Sequence, residues 1–376
     1  MSARANPVSV GFIGAGNVLP AYLQALDRLI PRGEATLGGI CARNRRLWKQ
    51  LRSRRPGVAL FGHAAELLAS NVDVVVIITP PDSHAELARA AIAHGKHVLV
   101  EKPMAATARE AGSLMSLARR HGRLLVAAPF VQQSPTFAFL QQALRGGAIG
   151  KIHSARALYG NLGSDWAGWY HDSGLGALAE IGIYNLKSLT AILGPVQSVF
   201  HQESRSARTR RIGSRRLPNV DADVAHTLLT HAGGALSSIT SSHAIVQYQR
   251  PALEFYGSSG TANLRGDDWD PRGVEIWREQ RGCWECYPAI EPTWLWTDGL
   301  TDLIRAVRSK RPPLADLAHD LHLIEILAAA RRSSRSHRAV RIRSSWTGYA
   351  PARRALRALG ASKHPLHDHT RPAEMQ

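Results

Sequence analysis

The eight residues from Val72 to Thr79 read VDVVVIIT, and seven of them are β-branched. A strand with one wet face alternates apolar and polar side chains. This run does not alternate, so both of its faces must be covered. The flanking sequence supplies the cover. Val8 to Ile13 is a short apolar run, followed by a helical pattern from about Asn17 to Leu29. Ala35 to Ala42 and Val58 to Phe61 read as strands around a helix at Arg45 to Arg52. Ser83 to His94 and Ala108 to His121 read as helices, with strands at His97 to Val100 and Leu124 to Ala127. Such alternation specifies an α/β parallel, doubly wound sheet with right-handed crossovers.

After about residue 128 the pattern changes. A long helix is expected from Gly176 to Leu193. Strand patterns dominate around it, at 152–159, 196–203, 223–231, 235–243, 252–256 and 273–278. Runs of strands imply an α+β domain with a large, mostly antiparallel open sheet. Helix returns from Thr301 to Arg332, broken at Arg311-Pro312-Pro313. A chain of 376 residues suits about two domains. The division expected is 1–127, 128–343 and a basic tail, 344–376.

The chain carries 47 Lys and Arg against 29 Asp and Glu, a formal net charge of +18. That excess invites a nucleic-acid partner, but its distribution argues against one. Segments 31–55, 205–216, 331–343 and 353–371 hold 25 of the basic residues and two acids, so the rest of the chain nets −5. Solvated loops produce local runs of this kind. Arg205 to Arg216 is expected as an exposed loop, with a clamp for an anionic substrate as the alternative. No run of 18 apolar residues occurs, which argues against a membrane span, and a signal peptide is not expected. Three cysteines make no disulfide framework and suit a reducing, cytoplasmic protein. Cys283-Trp-Glu-Cys286 has metal-knuckle spacing but no second pair, so no metal is expected.

Gly14-Ala15-Gly16 falls between the first strand and the first helix, with Asn17 and Val18 after it. The first glycine permits a tight turn and the second lets a pyrophosphate approach the backbone at a helix N-terminus. This identifies a Rossmann-type dinucleotide site. The third glycine position is Leu19, which is expected to loosen helix–strand packing. The end of the second strand, Cys41-Ala42-Arg43-Asn44-Arg45-Arg46, contains no acid to meet ribose hydroxyls. Arginines there favour a 2′-phosphate, so NADP(H) is expected over NAD(H), read mainly by Arg43 and flanked by Ala42 and Asn44.

Four segments together carry a resemblance: GFIGAGN (11–17), TPPDSH (79–84), GKHVLVEKP (95–103) and GAIGKI (147–152). With GLGALAEIGIYNLKSLTAILGPV (174–196), the chain resembles the Gfo/Idh/MocA oxidoreductases over about residues 7–343. The resemblance implies hydride transfer at a carbon of a sugar, cyclitol or related hydroxylated small molecule. It places Lys102 between nicotinamide and substrate. Glu101 and Pro103 would shape that turn, and Thr79, Pro80 and His84 the loop under the nicotinamide ribose. It also implies a homodimer or homotetramer paired through the second-domain sheet. The family's frequent Asp and His are here Glu180 and Tyr184, as in branches similar to glucose–fructose oxidoreductase and dimeric dihydrodiol dehydrogenase. Two other readings remain open within such folds: redox-neutral elimination or glycoside cleavage on a retained dinucleotide, and non-catalytic ligand sensing.

Residue chemistry points the same way. Glu180, Tyr184 and Lys187 are spaced i, i+4, i+7 and would share one face of a helix. Tyr184 is expected to exchange the hydroxyl proton, with the Lys102 ammonium easing formation of the phenolate and polarising the substrate oxygen. Glu180 would position substrate hydroxyls or hold Lys102. Trp166, His171 and Asp172, on an aromatic and polar loop before the helix, and Lys187 are the candidate substrate contacts.

Overall fold

The computed structural model describes residues 6–165 and 168–347. Its first sheet has six parallel strands: β1 (Val8–Ile13), β2 (Ala35–Cys41), β3 (Leu60–Phe61), β4 (Val74–Ile77), β5 (His97–Val100) and β6 (Leu125–Ala127). Their order, β3-β2-β1-β4-β5-β6, is that of a dinucleotide-binding fold. Helices α1 (Leu19–Asp27), α2 (Arg46–Arg54), α3 (Ala64–Leu68), α4 (His84–Ala93) and α5 (Ala108–Arg120) connect the strands. All four residues of β4 are fully buried, as a two-sided strand requires. Helix α5 starts where Thr107 accepts the Glu110 N–H, a side-chain cap in the Thr-x-x-Glu pattern.

The second sheet has nine strands in the order β16-β15-β14-β13-β7-β12-β11-β8-β17. They are β7 (Ile152–Gly160), β8 (Val196–Ser204), β11 (Val224–His231), β12 (Leu236–Ser242), β13 (Leu253–Gly257), β14 (Gly260–Asp267), β15 (Asp270–Arg278), β16 (Cys283–Pro288) and β17 (Val340–Arg341). Only the central β7–β12 pair is parallel. Helix α6 (Pro135–Arg145) and helix α7 (Ile183–Leu193) contribute Phe137, Leu140, Leu186 and Leu189 to the core beneath this sheet.

Two differences from the sequence reading bear on the site. The run Arg205–Arg216 is no plain loop, because β9 (Thr209–Ile212) and β10 (Arg215–Pro218) form an antiparallel hairpin. The long helix does not start as an α-helix: Leu178–Gly182 is a π-turn that passes into α7. As expected, the last helical stretch divides at the prolines, into α8 (Gly299–Ser309) and α9 (Leu317–Ser336). Leu300, Leu303 and Ile304 of α8 pack with Phe12, Leu23 and Val74 of the first domain. Helix α9 serves both domains. Its Ile324 joins Ile13, Val75 and Ile77, while Leu323, Ile326 and Leu327 join the second core.

Leu303 is fully buried, so Leu303→Ala should cost about 2–5 kcal/mol. An unchanged urea midpoint would show that α8 is not part of the first core.

Candidate active site

The cofactor half is set by the turn after β1. Gly14 has φ +114°, and a Cβ there would lie 2.7 Å from the Ile78 carbonyl oxygen, so glycine is required. A Cβ on Gly16 would meet nothing within 4 Å, leaving open space above the turn. Helix α1 begins beyond Val18 with no side-chain cap, but Leu19 N–H donates to the Gly16 carbonyl, Ala21 N–H to that of Val18, and Pro20 has no N–H, so an anion would be met by amides of the preceding turn. These features fit a dinucleotide pyrophosphate. Leu19, expected to loosen packing, is buried beside Phe12 and Tyr22. At the end of β2, the Ala42 carbonyl accepts the Trp48 Nε1–H at 2.9 Å and Asn44 Oδ1 caps the Arg46 N–H at 3.1 Å. Arg43 is exposed, and Arg45 lies 5.2 Å over the Trp48 ring.

Two loops close the floor. The Lys102–Pro103 bond is cis. Glu101 Oε1 accepts from the Tyr22 hydroxyl at 2.7 Å and Oε2 from the Lys102 N–H at 3.0 Å, which fixes the turn. His84 bridges this turn to the Thr79 loop, with Nδ1 2.9 Å from the Pro103 carbonyl and Nε2 2.8 Å from that of Thr79. Burial lowers its pKa despite those two carbonyls, so the ring is neutral and donates to one of them at a time. Both ring nitrogens are thus committed to backbone. The Thr79 hydroxyl is engaged with Ser83 at 2.7 Å.

Lys102 reaches from this floor to the π-turn of the second domain. Its Nζ donates to the Glu180 carbonyl at 2.6 Å and to Glu180 Oε2 at 3.1 Å. A π-turn carries an extra residue and takes carbonyls out of the regular ladder, which suits such an external donor. Glu180 Oε1 accepts from Ser173 Oγ at 3.3 Å. Tyr184 begins α7 beside this pair, its ring centroid 6.0 Å from Lys102 Nζ and 6.2 Å from the Tyr159 ring.

The electrostatics depart from expectation. Burial pushes the Tyr184 phenol far above its ordinary range, and Glu101, Tyr159, Tyr170 and Asp268 push the same way. The Lys102 ammonium, paired with the Glu180 carboxylate, does not outweigh these effects. The phenol therefore stays protonated.

Lys187 does not join the cluster. It is fully buried and ion-paired with Asp320 of α9. The π-turn breaks the α-helical count on which the shared face of Glu180, Tyr184 and Lys187 rested. Asp172 is exposed. His171 is buried, with Nε2 2.9 Å from the Ser164 carbonyl. Trp166 lies outside the described residues. The structure adds residues that no motif marked. Asp268 is buried under α7, where Asn185 Nδ2 and Ser188 Oγ donate to its Oδ2 at 3.0 and 2.9 Å. Asn185 and Ser188, polar residues three apart on a helix with many apolar positions, were the available signal.

Residues 8–128 match the family described as the oxidoreductase family with an NAD-binding Rossmann fold. Residues 137–263 match the GFO/IDH/MocA C-terminal domain. The chain belongs to the Gfo/Idh/MocA family of NAD(P)-dependent oxidoreductases. Among its relatives in that family, a dTDP-3,4-didehydro-2,6-dideoxy-alpha-D-glucose 3-reductase of Actinomadura kijaniata is 31% identical over 199 residues, 51% of this chain and 58% of the relative. A trans-1,2-dihydrobenzene-1,2-diol dehydrogenase of Macaca fascicularis is 28% identical over 75% of this chain and 80% of its own. A crystal structure of an oxidoreductase domain protein from Kribbella flavida superposes with a TM-score of 0.79 at 25% identity, covering 90% of this chain and all of that one. A Gfo/Idh/MocA fold is likewise shared with levoglucosan dehydrogenase in complex with NADH, at a TM-score of 0.78, 20% identity, and coverage of 90% of this chain and all of the other. Among the described residues no helix is long and apolar enough to cross a membrane, and no group of His, Cys, Asp or Glu is placed to hold a metal.

Burial pushes Asp268 up to about 7, against the bonds from Ser188 and Asn185 that lower it. Between the ordinary Asp pKa and that value the folded state holds a proton that the unfolded chain has lost. Stability from this group therefore falls as pH rises through that window and is flat above it. Asp268→Asn should gain thermal stability relative to wild type between pH 4.5 and 7.5, as read by melting temperatures. A pH-independent difference would show that Asp268 is ionised throughout.

Proposed function

We propose that this enzyme interconverts a carbonyl and an alcohol on a sugar, cyclitol or similar polyhydroxylated small molecule, with NADP(H) preferred over NAD(H). The observation that carries the reading is the Lys102–Glu180–Tyr184 cluster, held where the C-terminal end of a dinucleotide-binding sheet meets the second domain. A bound nicotinamide dinucleotide supplies the hydride in reduction and accepts it in oxidation.

The side chains handle the proton and the oxygen. Lys102, its charge held by the Glu180 carboxylate and carbonyl, presents an ammonium to the substrate oxygen and stabilises negative charge there. Tyr184, protonated by its buried setting, gives its proton to that oxygen as the carbonyl becomes an alcohol. In the reverse direction the phenolate must accept the alcohol proton, and burial leaves that form scarce near neutrality. Its raised pKa thus favours reduction near neutrality. The Gly14–Gly16 turn would hold the pyrophosphate, and Arg43 would meet the 2′-phosphate. His171 is proposed as part of the substrate wall. Cys41, Cys283 and Cys286 form no disulfide, which suits a cytoplasmic setting. Leu228 and Leu236 are each 57% exposed on adjacent strands of the second sheet, which supports subunit pairing through that face.

Tyr184→Phe and Lys102→Met should each lower kcat about 100-fold or more with little change in dinucleotide affinity. Full turnover by either variant would sink the assignment. Wild type should sustain carbonyl reduction without loss from pH 6 to 9, while alcohol oxidation keeps rising up to pH 10. Arg43→Ala should weaken NADPH about tenfold and leave NADH nearly unchanged, as titrated by cofactor fluorescence. Equal affinity of the wild type for both would overturn the preference.

A further inference from the structure

The basic hairpin and the end of β12 build a second polar wall beside Glu180, which neither the motifs nor the proton-transfer cluster uses. At its centre is His243, one residue past β12 and 3% exposed. Its ring meets Tyr170 edge-on at 5.2 Å and His171 at 5.7 Å. Tyr170 in turn feels the Glu180 carboxylate, which helps to raise its pKa.

Every polar atom of His243 but one is paired. Its backbone N–H donates to the Asp223 carbonyl at 2.7 Å. Its own carbonyl accepts from Arg210 Nη2 at 2.9 Å. Nδ1 lies 2.9 Å from Asn161 Oδ1. That same Asn161 atom accepts the Gly163 N–H at 2.8 Å, which identifies it as oxygen and not nitrogen. An acceptor there requires the proton on His243 Nδ1. In the neutral ring, Nε2 is then a bare lone pair. Nε2 is buried and, among the described residues, has no hydrogen-bond partner. Burial, assisted by His171, Arg210 and Lys102, keeps the ring neutral and pushes its pKa down to about 3. An unmet buried acceptor of this kind is destabilising unless a donor reaches it.

The surroundings are built to hold that lone pair in place. Arg210 points inward from the basic run. It bonds the Leu162 carbonyl at 2.6 Å and Asp223 Oδ2 at 2.7 Å as well as His243. Asp223 is itself buried, taking Ser206 Oγ at 2.7 Å and Asn219 Nδ2 at 2.8 Å. Gly163 has φ +74°, and a Cβ there would lie 2.4 Å from the His171 ring and 3.0 Å from Arg210. The loop therefore closes over Arg210 only with glycine at this point.

We propose that His243 Nε2 accepts a hydrogen bond from a substrate hydroxyl remote from the reacting carbon, with Arg210 as the positioning residue that holds it. The inference rests on the oxidoreductase reading above and narrows its substrate class. The ligand must offer a donor at this wall. A carboxylate, phosphate or ketone oxygen there would face a lone pair and be rejected. Arg210, spent on backbone and Asp223, is a strut and not the anion clamp that its basic neighbours suggest.

Two substitutions separate the roles. Asn at 243 can still donate to Asn161 but offers nothing at the Nε2 position, whereas Gln carries an acceptor to that position. The probes are aldoses, alditols and cyclic diols with their monodeoxy analogues, assayed with NADPH or NADP+ in the intact protein. For the substrate that wild type turns over best, His243→Asn should raise KM about tenfold, with kcat and NADPH affinity nearly unchanged. His243→Gln should stay near the wild-type KM. One monodeoxy analogue should give equal KM in wild type and His243→Asn. Wild-type KM in His243→Asn, or an equal loss on every analogue, overturns the proposal and leaves the oxidoreductase reading standing. If wild type turns over nothing on the panel, that reading fails and this one with it.

Discussion

The ammonium of Lys102 joins the two halves of the enzyme. It leaves the end of β5 in the first domain and ends on the carbonyl and carboxylate of Glu180 in the second. A lysine so bonded is oriented before any ligand arrives, which lowers the reorganisation that reaction requires. The order around it serves this contact. Glu101 ties the turn to Tyr22 of α1, and His84 ties it to the Thr79 loop. The π-turn turns the Glu180 carbonyl toward it from the other side. Removing the Glu180 carboxylate would leave a cation 13% exposed without its counter-charge.

Around that cation the site is arranged to keep other groups uncharged. Burial raises the phenols of Tyr22, Tyr159, Tyr170 and Tyr184 and the acid of Asp268, and lowers the imidazoles of His84, His171 and His243. In such surroundings the charges that remain are few, chiefly the Lys102–Glu180 pair and Glu101, and low polarity strengthens their mutual effect. Neutral phenols and imidazoles also retain hydrogen-bond directionality, which suits recognition of hydroxyls better than a field of mixed charges.

Much of the frame was legible because it follows from periodicity. The unbroken β-branched run, the βα alternation and the Gly14–Gly16 turn each have one structural solution. The Glu-Lys-Pro turn was legible by resemblance. What escaped depends on contacts distant in the chain. Lys187 looked like part of a polar stripe, but its partner Asp320 lies on α9, and helical spacing alone cannot reveal that. The π-turn has no clear local signature in LAEIG. Arg210 is one of several arginines in its run, and only the fold shows that it turns inward to Asp223. Asp268 and His243 follow ordinary strand sequence, so their burial depends on how the sheet meets α7 and the loop before it.

Helix α9 threads both cores, with Ile324 in one and Leu323, Ile326 and Leu327 in the other. Neighbouring side chains on a single rigid rod cannot travel apart. A clamshell motion that swung the domains open about the cleft would have to pull one of these faces out of its packing, at a cost comparable to a core cavity. The enzyme is therefore built more like a fixed socket than a jaw.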